Sequence, residues 1–244
     1  MIGVGASILG SLVGLGGGFV IIPVLRIAFG IPPAEAAGTS LLLVLANTAS
    51  STIGFWRTKL LDVSLSLPYA IGALPGSIAG VFAVRHTSAP VFDIVYGCVL
   101  VMNATLALRR RNMVSRAHGE RGFAHDWRVG LIAGVGVGFF SSALGIGAGV
   151  VLIPLMLIAA RMPPAVVAAT SAFVVTLTAP IGVVAHALGG DVDWALAVPL
   201  VAGGLAGGAI APAIAHRISS PRLITLLATA LIMAAAGLVL RHLI

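Results

Sequence analysis

Long apolar runs separated by short polar segments dominate the chain. Each run is close to the 20 or so residues that a helix needs to cross about 30 Å of hydrocarbon. The pattern therefore predicts six membrane-spanning helices. The runs cover residues 35–56, 65–84, 90–108, 166–187, 194–215 and 221–240.

Two other apolar stretches combine clustered glycines with a downstream proline, at 14–23 and 145–154. Glycine adds backbone freedom and an internal proline removes a hydrogen bond, so we expect the helix to break at both, with Pro23 and Pro154 as part of each break. Within a membrane, broken backbone is tolerated only where protein or a water-filled cavity satisfies the freed amides. Both stretches are therefore candidate sites.

The segments around the second glycine stretch are short. Residues 129–142 and 147–160 would each give about 21 Å of helix, at 1.5 Å per residue. We expect neither to cross the membrane alone, so each glycine segment forms either a re-entrant hairpin or two thin crossings.

The chain contains an internal duplication with an offset of 131 residues and no gap. Glycines, prolines and a Thr-Ser pair are retained over about 110 residues, which is a strong repeat signal even in apolar sequence. We predict a first transmembrane repeat at 1–108 and a second at 129–244. The matches include Pro32-Pro33-Ala34 with Pro163-Pro164-Ala165, Thr39-Ser40 with Thr170-Ser171, Asp62 with Asp193, and Pro90 with Pro221.

Composition places the chain in a lipid bilayer. Hydrophobic residues make up 59% of it and charged residues 9%, and the mean hydropathy is +1.13, beyond what a soluble surface allows. The net charge of +7 would suggest nucleic acid as a partner of a soluble protein. Here the basic residues concentrate at 109–128, as expected of a cytoplasmic loop, so we expect no nucleic-acid partner.

The distribution of basic residues also bears on how the repeats are related. With 109–128 in the cytoplasm, inverted repeats place eleven lysines and arginines inside and three outside, whereas parallel repeats place nine inside and five outside. The inverted arrangement is favoured. The predicted fold is an all-α polytopic membrane protein with two inverted-topology repeats, each a broken or hairpin glycine segment followed by three spans, giving eight to ten helical segments.

Titratable residues give no sign of catalysis. No His-Glu-x-x-His or Gly-x-Ser-x-Gly pattern and no ATP-binding motif is present, so we expect no enzyme activity, no cofactor and no metal site. Asp93 and His186 are expected at the membrane interface. Arg26 is expected to snorkel there, although it could also supply a counter-charge for an anion. Cys98 lies in an apolar run, which predicts a small buried core residue.

The glycine segments suit an anion better than any other ligand. Each exposes backbone N–H groups at the positive end of the helix that follows, and inverted repeats would bring two such ends together near the midplane. The alternative is that the glycines only allow tight helix packing. Hydroxyls and an amide on the next helices could add donors. The predicted substrate-binding residues are Gly14, Gly16, Gly17, Gly18, Thr39, Ser40, Asn47, Gly145, Gly147, Gly149, Thr170 and Ser171.

Two ladders of small residues lie on the later helices of each repeat. They permit close helix approach, so we expect them to serve packing within the bundle or in a homodimer. The ladders are Gly72, Gly76 and Gly80, and Gly203, Gly207 and Ala211.

The motif Gly14-x-Gly-Gly-Gly-x4-Pro23, the downstream Pro-Pro-x-x-Ala36-Ala37-Gly38-Thr39-Ser40 and the weaker second copy resemble the TauE/SafE family of sulfite and organosulfonate exporters, also called the toluenesulfonate uptake permeases. The resemblance implies a multi-pass permease of the bacterial inner membrane for small sulfur-containing anions, built from two homologous halves. The chain departs from the pattern at Ala148, so the two glycine segments need not contribute equally. We predict a secondary transporter; an anion channel and a membrane scaffold or assembly factor are the alternatives.

Overall fold

The computed structural model describes residues 2–13, 16–113, 126–156, 164–214 and 221–241. These residues form helices and connecting turns and include no strand, which confirms the all-α prediction. The helices are α1 (Ile2–Val13), α2 (Gly18–Pro23), α3 (Pro33–Arg57), α4 (Val63–Arg85), α5 (Ala89–Met113), α6 (Trp127–Leu144), α7 (Gly149–Pro154), α8 (Pro164–Leu188), α9 (Trp194–Ile214) and α10 (Pro221–Leu240).

Six of the described helices are long and apolar enough to cross a membrane: α3, α4, α5, α6, α8 and α9. Five of them match predicted runs. The sixth, α6, corrects the expectation of a helix too short to cross, because it has 18 residues, or about 27 Å. It begins earlier than predicted because the Asp126 side chain accepts a hydrogen bond from the Arg128 amide and caps it.

The remaining predicted run forms α10. Within α10, the described apolar stretch Leu231–Leu240 is shorter than a full membrane span. The molecule is therefore a multi-pass membrane protein, as predicted.

Both helix breaks lie at glycines rather than prolines. Gly16 and Gly17 have φ of 73° and 88°, and Gly145 and Gly147 have φ of 63° and 98°, values that glycine adopts at little cost. The Gly16 amide donates to the Gly10 carbonyl at 3.3 Å, so the chain turns back onto α1.

The α-helices that follow the two breaks, α2 and α7, end at Pro23 and Pro154, and the part that these prolines play in the breaks stays a prediction. Helical backbone continues past both prolines: Leu155 keeps helical angles, and α2 widens into a π-helical turn over Val24–Ala28. Proline lacks an N–H, so it cannot donate the α-helical hydrogen bond at its own position. The backbone can nevertheless keep helical angles there.

The equivalent long helices of the two repeats, α3 and α8, pack side by side and run antiparallel. Gly38, near the start of α3, lies against His186 near the end of α8. Phe55, near the end of α3, clusters with Ala169 near the start of α8. α5 and α10 also pack against each other as an equivalent pair. The inverted topology of the two repeats in the bilayer stays a prediction.

The two repeats interlock instead of forming separate bodies. α4 packs on α6, and in the same way α1 packs on α9; α9 also packs on α3, and α4 on α8. We call α1, α3 and α9 group A and α4, α6 and α8 group B. The helices α3 and α8 pack on each other across the two groups.

The glycine ladders explain this interlocking. Gly72, Gly76 and Gly80 of α4 lie against main-chain carbonyls of α6, where any side chain would collide. Gly203 and Gly207 of α9 face the backbone of α1 in the same way. Both ladders therefore serve close packing within the bundle.

Candidate functional site

The two glycine breaks meet in the interior. Gly18 lies so close to the Gly145 carbonyl that a methyl group added at Gly18 would collide with it. A methyl group at Gly16 would come to 3.4 Å from the carbonyl oxygen of Ile146. The described glycines of both breaks are buried, including Gly147. The approach is one of backbone against backbone, which only glycine permits.

Two polar side chains of α3 hold the breaks. Ser40 Oγ donates to the Gly145 carbonyl at 2.8 Å, and Asn47 Nδ2 donates to the Gly16 carbonyl at 3.0 Å. Ser11 Oγ in turn donates to Asn47 Oδ1 at 2.8 Å. α3 therefore contacts the breaks of both repeats and satisfies carbonyls that the broken helices leave without a helical partner.

The corresponding side chains of the second repeat are arranged differently. Thr178, which matches Asn47, donates to the Val174 carbonyl of its own helix at 2.9 Å. Ser142, which matches Ser11, is buried and its hydroxyl has no partner. Ser171 is buried as well. The first break is thus held by a serine–asparagine relay that the second repeat lacks.

The hydroxyls of Thr39 and Thr170 have different surroundings from the side chains of Ser40 and Asn47. Thr39 Oγ1 accepts a hydrogen bond from the Asp193 amide at 2.9 Å, so it anchors the turn before α9. Thr170 Oγ1 is buried without a partner. Of the other predicted site residues, Gly17 and Gly149 are buried beside the breaks, and Gly14 lies outside the described residues.

Several buried hydroxyls of the described chain have no hydrogen-bond partner. Serines in membrane helices usually bond a carbonyl of the preceding turn, and an unpaired buried hydroxyl costs about 1–3 kcal/mol. Such groups mark places where a water molecule or a ligand oxygen would bind favourably. They belong to Ser7, Ser77, Ser141, Ser142 and Thr170.

Sequence reasoning missed a buried ion pair beside the first break. Arg26 and Asp93 are 2% and 0% exposed, so the expectation that Arg26 snorkels into water is wrong, and the depth of Asp93 in the membrane stays a prediction. Arg26 Nη2 lies 2.6 Å from Asp93 Oδ2. One turn along α5, the Tyr96 hydroxyl donates to the Gly18 carbonyl at 3.2 Å. The signal in the sequence was a pair of opposite charges in apolar segments.

Two further residues that the sequence singled out have defined surroundings. His186 is buried within the protein: its Nε2 lies 3.1 Å from the Ser142 carbonyl and its Nδ1 lies 3.3 Å from Asp191 Oδ2. Its position relative to the membrane interface stays a prediction. Asp191 also pairs with Arg85 at 2.6 Å, because the turn before α9 folds over the end of α8. Cys98 is exposed on α5 instead of buried, because that face of the helix has no protein neighbour in the described chain.

The centre where the breaks meet presents backbone amides, hydroxyls and one carboxamide. Among the described residues, no group of three or more histidines, cysteines or carboxylates could hold a metal ion. Neutral donors of this kind suit a small oxyanion that binds reversibly.

Comparison with known proteins agrees with this architecture. The family model described as "Sulfite exporter TauE/SafE" matches residues 1–238. The chain belongs to the TauE/SafE family. The "Probable membrane transporter protein YunE" of Bacillus subtilis is 30% identical over 98% of this chain and 95% of that protein. "Probable membrane transporter protein MJ0441" of Methanocaldococcus jannaschii is 29% identical over 76% of this chain and 70% of its own length.

A "Probable membrane transporter protein" of Xylella fastidiosa is 28% identical over 87% of this chain and 82% of its own length. No solved structure matches. As a TauE/SafE protein, the chain is a multi-pass membrane transporter.

Proposed function

We propose that this TauE/SafE transporter carries small sulfur-containing anions, such as sulfite or sulfonates, by secondary transport, and binds them where the two glycine breaks meet. One observation carries the proposal: breaks from both repeats converge in a buried centre, where the Ser40 hydroxyl and the Asn47 amide donate to carbonyls of the breaks. The family description supports the substrate class.

The chemistry of the centre fits three-oxygen anions. The amides near Gly16 to Gly18 and Gly147 to Gly149 would donate to the oxygens of the anion, and the Ser40 hydroxyl would add a donor. With amides and hydroxyls alone, binding is strong enough for selection and weak enough for release. A lysine or arginine at the same point would hold the anion more tightly and slow its release.

Substrate entry requires the breaks to separate. Because Gly18 lies against Gly145, an anion can occupy the centre only when its two sides move apart. The interlocked packing argues against a movement of one repeat against the other. We propose that group A moves against group B about the contact between α3 and α8, so that access alternates between the two faces.

Counterflow in proteoliposomes tests this function. Vesicles preloaded with unlabelled sulfite should take up labelled sulfite faster than protein-free vesicles, with saturation and with competition from sulfonates but not from chloride. Uptake that never saturates, or that shows no exchange with internal sulfite, would instead indicate a channel. A complete lack of uptake, together with no thermal stabilisation by any of these anions, would refute the proposal in favour of a scaffold.

Matched glycine variants test the site. Gly16→Val places a β-branched residue at φ 73°, with its Cβ 2.8 Å from Val44 Cγ1, and should abolish exchange while the protein still inserts. Gly5→Val is the control, because no atom lies within 4 Å of a Cβ there. Exchange at the wild-type rate in Gly16→Val would exclude the breaks as the site.

A further inference from the structure

The ion pair between Arg26 and Asp93 joins α5 to the π-helical turn that follows α2, the helix that begins at the first glycine break. We propose that Asp93 is the proton-coupling residue of the transporter: a proton taken up by Asp93 frees the charge of Arg26 to favour the anion. This inference rests on the proposed function, since it supplies the driving ion for that transport.

The pair is closed on itself in this structure. Arg26 Nε donates to Asp93 Oδ1 at 2.9 Å and Nη2 donates to Oδ2 at 2.6 Å, which is the bidentate arrangement that guanidinium and carboxylate favour. Nη1 donates to the Ile31 carbonyl at 2.6 Å, and the Phe92 ring lies 5.8 Å from the guanidinium carbon. The two charges neutralise each other as long as the carboxylate is ionised.

The second repeat has apolar residues where the first has this pair. Burying an ion pair costs several kcal/mol of desolvation per ion, and apolar residues of similar size often stabilise a protein as well or better. At the offset of 131 residues, Arg26 matches Leu157 and Asp93 matches Ile224. Because one repeat has apolar residues at these positions, retention of the charges in the other points to a function, as charged groups within membrane segments usually do.

α5 connects the pair to the break. Tyr96 bonds the Gly18 carbonyl at 3.2 Å where α2 begins, and Asp93 bonds Arg26 in the π-helical turn that follows α2. Turns of this kind occur frequently at functional sites. A change in the pairing of Asp93 therefore acts on the helix that starts at the first break.

The Asp93 carboxylate takes one proton from water and becomes a neutral acid, while Arg26 stays protonated about 12 Å along the helix from Gly18, at 1.5 Å per residue. The uncompensated cation favours a monoanion at the break. When the anion leaves, the acid returns its proton to water and the pair re-forms, so one proton and one monoanion cross together without net charge.

Two other charged residues lie on elements next to the pair. A guanidinium N–H of Arg241 donates to the Arg26 carbonyl. Glu35 lies in the first turn of α3, which packs against the π-helical turn that carries Arg26. If a proton on Asp93 favours anion binding, a bound anion favours that proton to the same extent.

Transport driven by a pH gradient tests the inference. The probe is methanesulfonate, because its charge does not change over the working pH range. If the wild type does not carry methanesulfonate, sulfite is used instead, with its leakage into protein-free vesicles subtracted. A gradient of about one pH unit should drive up to about tenfold accumulation in a one-to-one symport, since one unit is about 1.36 kcal/mol. A protonophore should abolish this accumulation.

Asp93→Asn should lose the accumulation but keep exchange in the absence of a gradient, with a rate that no longer depends on pH. Asp191→Asn is the control, because Asp191 belongs to a partly exposed pair with Arg85; it should accumulate the probe like the wild type. If Asp93→Asn does not fold, the double variant Arg26→Leu with Asp93→Ile, which copies the second repeat, should fold and should also lose the accumulation.

Accumulation at the wild-type level in Asp93→Asn or in the double variant would overturn the inference. So would a wild type that exchanges the probe but ignores a pH gradient, and that result would leave the proposed function standing. A wild type that carries neither probe would refute the proposed function itself.

Discussion

The substitution Gly18→Ala measures how closely the two breaks approach. An added methyl group meets the Gly145 carbonyl, with Ile146 Cα at 2.9 Å and Ser40 Oγ at 3.0 Å, so the second break must retreat by roughly 1 Å. Overpacking of this kind costs about 1–3 kcal/mol, and the better helix propensity of alanine offsets about 1 kcal/mol. We expect a net loss of up to about 2 kcal/mol, or up to about 8 °C in melting temperature for a chain of this size.

Gly5→Ala provides the matched control in thermal unfolding of the purified protein. It adds the same methyl group on α1, where no atom lies within 4 Å of a Cβ. We expect no loss of stability, and a gain of up to about 1 kcal/mol from helix propensity. Equal melting temperatures for Gly18→Ala and Gly5→Ala would refute the contact between the breaks, because φ at Gly18 puts no strain on alanine and only the neighbours distinguish the two sites.

Three further substitutions test other parts of the site. Asn47→Ala leaves a buried carbonyl and a buried hydroxyl unpaired, so it should lower the free energy of unfolding by about 2–4 kcal/mol. Thr178→Ala should lower it by under about 1 kcal/mol. Equal losses of stability in thermal unfolding would contradict the asymmetry of the two repeats. Arg26→Ala should lower the free energy of unfolding by about 3–5 kcal/mol. The double variant Arg26→Leu with Asp93→Ile should recover most of this stability. If it does not, the fold needs the pair. Thr39→Val should lower the free energy of unfolding by about 1 kcal/mol without changing the KM for sulfite exchange. A raised KM would indicate that Thr39 contacts the substrate.

The sequence located the breaks because glycine clusters act locally. Gly16 and Gly147 have positive φ, and such positions can be predicted from composition and from the repeat alone. The role of Pro23 could not be predicted in the same way. A proline ends a helix only when no wider turn can accommodate it, and here the π-helical turn at Val24–Ala28 does so.

Pairings over long sequence distances were beyond local patterns. Arg26 and Asp93 are 67 residues apart, and their contact depends on how α5 packs beside α2, which no periodicity encodes. The register of the repeats likewise identified which helices are equivalent but not which of them pack together. The ladder at Gly72 and Gly76 predicted a close helix contact, and only the fold shows that the partner is α6 of the other repeat.

The most direct test of the account is the accessibility of the centre from each side of the membrane. In a Cys98→Ala background, Ser40→Cys places a thiol beside the Gly145 carbonyl, at a site that is fully buried in this structure. The account predicts that a membrane-impermeant maleimide labels this thiol from either side, and that methanesulfonate, which does not react with maleimides, protects it where chloride does not. Labelling from neither side or from only one side, or labelling that the substrate anions leave unchanged, would contradict an alternating-access site at the paired glycine breaks.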